Sequence, residues 1–273
     1  MARERGSIMS DSSISESYRR DGYYFPIPVL SGDEVRECRR RLEAFEAEHQ
    51  GLPEKYRFKT YLVWTWLDGL IRHPRILDAV EEVIGPNILC WSTDFFIKEP
   101  HDPGFVSWHQ DSTYWGLEPP EVITAWLGLT DSTAENGCVR VVPGSHLKGQ
   151  VTHHDTFGDD NMLSRGQEVA VEVADGEGVD LSLSAGEISL HHVLAVHGSR
   201  PNGSSDRRIG IAFRYLPTHV RQTAGIRESA MLVRGIDEHG NFDLEPRPRA
   251  DFDEAALAAH ADATERFERF GEM

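Results

Sequence analysis

The chain has 273 residues, 39% hydrophobic and 27% charged, with 24 Gly and 14 Pro, an ordinary globular composition long enough to bury a full core without covalent staples. A formal net charge of −17 argues against nucleic acid as a partner, because phosphate recognition demands a basic face. Cys38, Cys90 and Cys138 lack metal or redox spacing, and neither a signal-peptide core nor an apolar run near ~18 residues is present. A cytoplasmic protein with no membrane partner is therefore expected.

Residues 1–11 read as a flexible polar tail, and 12–273 as one domain. Within it we expect amino-terminal helices over 12–85, a β core over about 86–217 and a carboxy-terminal extension over 218–273. A short helix is predicted from Ser12 to Gly22, then a turn-rich Phe25-Pro26-Ile27-Pro28. Ser31 with Glu34 three residues on signals a capped helix carrying Val35, Cys38, Leu42 and Phe45 at helical spacing. Ile76, Leu77, Val80 and Val83 predict another helix over Pro74–Ile84, stopped by Gly85-Pro86. Short β-branched or aromatic runs follow at Ile88–Ile97, Val122–Leu129, Cys138–Val142, Val169–Val173, Glu187–His192 and Ile209–Tyr215, punctuated by Gly, Pro, Asn and Asp. That texture, mainly β with flanking helices, predicts a jelly roll. Asp253–Phe270 reads as a terminal amphipathic helix.

His-x-Asp occurs three times, at His109-Gln110-Asp111, His153-His154-Asp155 and His260-Ala261-Asp262. On an extended strand the first and third residues share a side and can grip one metal. On a helix they diverge by roughly 200°, which disqualifies His260 and Asp262. His153 and Asp155 run toward Gly158-Asp159-Asp160-Asn161 without apolar shielding and read as a solvated loop. His109 and Asp111 are flanked by Trp108, Tyr114 and Trp115, which are expected, with Trp64 and Trp66, to wall a dry pocket. Two histidines and a carboxylate on one face form the facial triad of non-haem iron(II) oxygenases. His197 is chosen as the third ligand, with His191 and His192 as competitors.

2-Oxoglutarate, the co-substrate of many such oxygenases, has a distal carboxylate that needs a bidentate cation, a role suited to arginine. In Arg208-Ile209-Gly210-Ile211-Ala212-Phe213-Arg214-Tyr215, alternation puts Arg208, Gly210, Ala212 and Arg214 on one face, with room beside Arg208 for a ligand.

In order along the chain stand Asp21-Gly22-Tyr23, Trp108-His109-Gln110-Asp111, Glu135-Asn136-Gly137-Cys138, Pro143-Gly144-Ser145-His146 and His197-Gly198-Ser199-Arg200-Pro201-Asn202, with Arg208 after them. With these motifs, from about Tyr18 to Tyr215, the sequence resembles the phytanoyl-CoA dioxygenase-like family of Fe(II)/2-oxoglutarate oxygenases. Phe95–Pro100, Trp108–Leu117, Pro217–Arg221 and Leu232–Gly235 resemble its 2-aminoethylphosphonate dioxygenase-like branch. The resemblance implies a double-stranded β-helix (a cupin-like jelly roll), iron held by His109, Asp111 and His197, and the co-substrate's C5 carboxylate held by Arg208. It also implies Ser199, Trp126 and Lys98 beside the co-substrate. Relatives that chlorinate carry a small residue where Asp111 stands, so the resemblance implies hydroxylation, with O2 as oxidant and succinate and CO2 as products.

Gln110, Tyr114, Trp115 and Arg140 are the expected substrate contacts. Arg221, Arg227, Arg234, Lys55, Arg57 and Lys59 offer further cations to an anionic small molecule, such as a phosphonate or amino-acid-like metabolite, unless they are solvated surface charge. A larger secondary metabolite, a non-catalytic metal-binding jelly roll and a zinc hydrolase are the alternatives. Oligomeric state is not legible.

Overall fold

The computed structural model describes residues 13–156, 158, 160–163, 166–170, 173–174 and 176–271; the tail expected over 1–11 lies outside them. Helix α1 (Ile14–Asp21) opens with a capping box in which Ser13 Oγ accepts from the Glu16 N–H while the Glu16 carboxylate accepts from the Ser13 N–H. Gly22 ends it at φ 83°, and a Cβ there would lie 2.5 Å from the His146 ring. Strand β1 (Tyr23–Pro28) replaces the expected turn. Proline is tolerated because β1 is a sheet edge whose register shifts between Tyr24 and Ile27, so Pro26 withholds no ladder bond. The predicted Ser31–Glu34 capping box opens α2 (Gly32–His49). Helix α3 (Thr65–Ile71) precedes α4 (Pro74–Ile84), whose buried stripe is Ile76, Leu77, Ala79 and Val80.

The β region comprises β2 (Ile88–Lys98), β3 (Val106–His109), β4 (Leu117–Glu118), β5 (Ile123–Gly128) and β6 (Val139–Val141). It continues through β7 (His153–Asp155), β8 (Gln167–Val169), β9 (Val179–Asp180), β10 (Glu187–His192) and β11 (His197–Ser199). Next come β12 (Arg208–Pro217), β13 (Arg221–Gln222), β14 (Ser229–Arg234), β15 (Asp243–Leu244) and α5 (Glu254–Gly271). A seven-stranded sheet in the order β1-β10-β5-β12-β2-β14-β15 faces a four-stranded sheet, β3-β11-β6-β9, with β13-β4 and β7-β8 as two-stranded ribbons. This is a jelly roll. The Val169–Val173 run departs from expectation: strand β8 ends at Val169, and 171–172 lie outside the described residues. His153-His154-Asp155, expected as a loop, pairs as β7 with β8.

Strand β12 shows why the fold has an inside and an outside. It lies between β5 and β2 and is buried along all ten residues. Ile209, Ile211, Phe213 and Tyr215 pack into one cluster with Leu67, Ile71, Ile76 and Val80 of the helices. Ala212 instead packs with Trp126, Val139, Val141 and Ala195 between the two sheets. The period of two thus assigns one face to the helical layer and the other to the interior between the sheets. No helix among the described residues is long and apolar enough to cross a membrane.

Lys59, one of the cations expected near substrate, is a structural clasp. It is 2% exposed at φ 48°, and its Nζ donates to Ser229 O (2.7 Å) and to Glu245 Oε1 (2.6 Å). Tyr61 donates to the other Glu245 oxygen at 2.6 Å. This joins the segment after α2 to the carboxy-terminal strands. Glu245→Ala strands a buried ammonium and is expected to cost about 3–5 kcal/mol, read as a lower denaturation midpoint at unchanged slope. Lys59→Met/Glu245→Leu should recover most of the loss.

Candidate metal centre

Strands β3 and β11 pair so that His109 and His197 stand directly opposite each other. Strand β3 stops at His109, and Asp111 opens a 3-10 turn, Asp111–Tyr114. The two residues do not share a regular strand as expected, but Gln110 between them is extended (φ −116°, ψ 131°). The alternation therefore survives, and His109 and Asp111 project to one side.

One ligand atom from each of His109, Asp111 and His197 lies within 4.8 Å of the others. His109 Nε2 is 3.3 Å and His197 Nε2 3.9 Å from Asp111 Oδ1. The hydrogen bonds behind the rings define what these atoms are. His109 Nδ1 donates to Ser107 O and His197 Nδ1 to Ala195 O, each at 2.9 Å. Each neutral ring then carries its proton on Nδ1 and leaves Nε2 as a bare lone pair. Burial, then the neighbouring His109, pushes the His197 pKa well below its ordinary value, so it stays neutral. Burial works against the Asp111 charge, but positive charge at the His197 and His109 Nε2 positions, then Arg214, outweighs it and holds the carboxyl far below the usual range, so the space between the three favours a cation. With each Nδ1 spent on a carbonyl, two Nε2 atoms and an ionised oxygen converge on one point. The donor set therefore fits a divalent cation.

The triad opens on a cavity whose empty space, with its open mouth included, is roughly 490 Å³. Its apolar wall is Phe96, Val106, Trp126, Val139, Leu163 and Ala212. Arg208, 1% exposed, also lines it. Its Nη1 donates to Gly137 O, its plane lies 5.3 Å over the Trp126 ring, and its Nε is buried without a partner. Among the described residues no carboxylate pairs with it, and burial pulls its pKa down to about 10. A buried guanidinium left in this state fits an incoming carboxylate. Ser199 lines the cavity too and accepts from Lys98 Nζ at 2.8 Å. Gly210 leaves less room than its size suggested: a Cβ there would lie 1.9 Å from Trp126, so the indole occupies that space.

Several predicted contacts fall elsewhere. Gln110 is fully buried and points away from Asp111; its Nε2 donates to Gly149 O and Leu194 O, and its N–H donates to His153 Nε2. Arg140 pairs with Asp180 at 2.8 Å and lies over Trp108, so neither borders the cavity. Trp115 packs on Trp91; Tyr114 sits in the 3-10 turn, its side chain outside what is described. Trp64 and Trp66 belong to the helical layer around Phe45 and Phe252. The surface cations are mostly paired: Arg57 with Glu54, Arg227 with Asp243, and Arg234 with Asp78 and Glu81. Lys55 lies over Tyr56, and Arg221 is exposed. None of these cations lines the cavity. His192 turns outward beside Tyr18 and His146. His191 and Thr124 do line the cavity. Thr124 was overlooked, although it alternates with Trp126 on β5.

Residues 18–210 match the family model described as phytanoyl-CoA dioxygenase (PhyH). The chain belongs to the phytanoyl-CoA dioxygenase family of Fe(II)/2-oxoglutarate-dependent dioxygenases. Its fold matches the solved apo structure of the non-heme monooxygenase ThoJ with a TM-score of 0.83 at 37% identity, over 95% of this chain and 98% of that one. It is 27% identical over 228 residues to the L-proline trans-4-hydroxylase of Streptomyces griseoviridis, covering 72% of this chain and 83% of that one. A probable alpha-ketoglutarate-dependent hypophosphite dioxygenase of Stutzerimonas stutzeri is 32% identical over 152 residues, 54% of this chain and 52% of that one. The chain thus spans about half the length of that family relative.

Lys98 gives the site a pH dependence. Burial, then repulsion from Arg208, lowers its pKa from 10.5 to about 7. An anion bound at Arg208 favours the ammonium, so binding takes up a proton above pH 7. Anaerobic titration with 2-oxoglutarate should show affinity falling as pH rises through 7, by up to about tenfold per pH unit. Lys98→Met should flatten that profile.

Proposed function

We propose that the protein hydroxylates an unactivated C–H bond of a small polar metabolite, coupled to decarboxylation of 2-oxoglutarate to succinate and CO2. One atom of O2 enters succinate and the other the product. The observation that carries this reading is one cavity holding both a convergent His109–Asp111–His197 triad and, at Arg208, a buried guanidinium without a carboxylate. Fe(II) held by the triad, with 2-oxoglutarate and O2, supplies the oxidising chemistry.

The chain's own groups bind and orient. Arg208 receives the C5 carboxylate, with Ser199 and Lys98 beside it and the Trp126 face fixing the guanidinium plane. The apolar wall keeps bulk water from the reacting centre. Asp111 supplies the carboxylate of the triad, which favours hydroxylation over halogenation. The engagement of most expected cations elsewhere, and the likeness to an L-proline trans-4-hydroxylase, support a small substrate with little net charge over a larger secondary metabolite.

The test is 2-oxoglutarate-dependent succinate formation with Fe(II), expected to vanish when zinc replaces iron; hydrolysis sustained by zinc would instead make this a hydrolase. His109→Ala and Asp111→Ala should abolish turnover with near wild-type melting behaviour, and full succinate production by either variant would refute the triad assignment. Arg208→Ala should raise the co-substrate requirement roughly tenfold or more, the scale of losing a charge-assisted pair. An unchanged requirement would assign that end to Lys98 or Arg214.

A further inference from the structure

Six residues along β12 from Arg208, a second polar pole faces the same cavity. Tyr23, His191, Thr124, Arg214 and Ser92 stand in register on β1, β10, β5, β12 and β2. Of these, His191, Thr124 and Arg214 line the cavity. Thr124 Oγ1 reaches Asp111 Oδ2 at 3.5 Å, and the His191 ring centre lies 4.6 Å from that of His197. This row therefore adjoins the triad.

Two of its members carry buried polar atoms with nothing to bond. Arg214 is 8% exposed; its Nη1 donates to Ser92 Oγ and to the Asp94 carboxylate, and its plane lies 5.0 Å from the Trp115 ring centre. Its Nε is buried without a partner, and no partner bonds its Nη2 among the described residues. One terminus of the guanidinium is thus pinned while two donors stay free. His191 is 2% exposed, and neither ring nitrogen has a protein partner among the described residues. Buried donors are rarely left unmet unless something outside the chain meets them.

Resting on the oxygenase reading above, we propose that Arg214, with His191, anchors a carboxylate of the primary substrate at this second pole. Arg208 and Arg214 are six residues apart, about 20 Å of strand at ~3.3 Å per residue. A five-carbon dicarboxylate held at Arg208 leaves Arg214 for a second molecule. Nε and Nη2 lie in one plane and match the two oxygens of a carboxylate. A phosphonate dianion calls for a second cation here, and Arg140, Lys59 and Arg234 are engaged elsewhere. The substrate class is therefore a small carboxylic acid, such as an amino acid. Asp94 balances the arginine charge and holds it in place.

The experiment uses the full chain loaded anaerobically with Fe(II) and 2-oxoglutarate. The probes are the proteinogenic L-amino acids and their decarboxylated amines. Binding is read by tryptophan fluorescence, to which Trp115 against Arg214 contributes, and by calorimetry. At least one amino acid should bind, with its amine weaker by roughly tenfold or more, the scale of one lost charge-assisted hydrogen bond. Arg214→Gln should weaken that acid to a similar extent and remove the acid-over-amine preference, while 2-oxoglutarate affinity stays within twofold. Asp94→Asn/Arg214→Gln, which leaves no stranded carboxylate, should behave alike if the single variant folds poorly. Three results would overturn the proposal: amines binding as well as acids, no acid binding at all, or 2-oxoglutarate affinity falling with Arg214. Failure of the wild-type protein to bind 2-oxoglutarate would instead sink the oxygenase reading itself.

Discussion

Three electron-pair donors held within 4.8 Å of one another repel unless a cation lies among them. The site's architecture supplies the restraint this repulsion demands. His109 and His197 face each other across a strand pair, and the carbonyls of Ser107 and Ala195 lock each ring by its other nitrogen. Gln110, between the two amino-terminal ligands, is bolted from behind by Gly149, Leu194 and His153. Each ring is thus fixed through its other nitrogen, and Asp111 follows an anchored residue, which is how an open site keeps its geometry.

Much of this was legible from alternation. The run from Arg208 to Tyr215 divided into a bulky apolar face and a face of two arginines and two small residues, and both sets lie where the period of two puts them. The helix start at Ser31 was legible as well, since capping is decided within four residues. Edge position was not: Phe25–Pro28 carries the residues of a turn, and only its place outside β10 allows it to be a strand. The place of β8, Gln167–Val169, likewise follows from pairing with β7 rather than from composition.

In the site, the His109 triplet was chosen for its aromatic flanks, yet neither Trp108 nor Trp115 walls the cavity. Trp108 lies under Arg140 and Trp115 against Trp91. Nearness in sequence cannot say which side of a strand a ring takes once the strand breaks into a turn. The wall comes from Phe96, Trp126, Val139 and Leu163, on four separate segments brought together only by the pairing of distant strands. The surface cations misled for a related reason. A charge reads alike whether it meets a ligand or an acid such as Asp243 or Asp78 from elsewhere in the chain.

The two-sidedness of β12 has an evolutionary reading. Substitutions at 209, 211, 213 and 215 act on the helical layer, whereas those at 208, 212 and 214 act on what the cavity accepts. Robustness and selectivity are therefore written on alternate letters of one ten-residue word. Drift at 212 and 214 can change what is accepted while the odd positions hold the scaffold together.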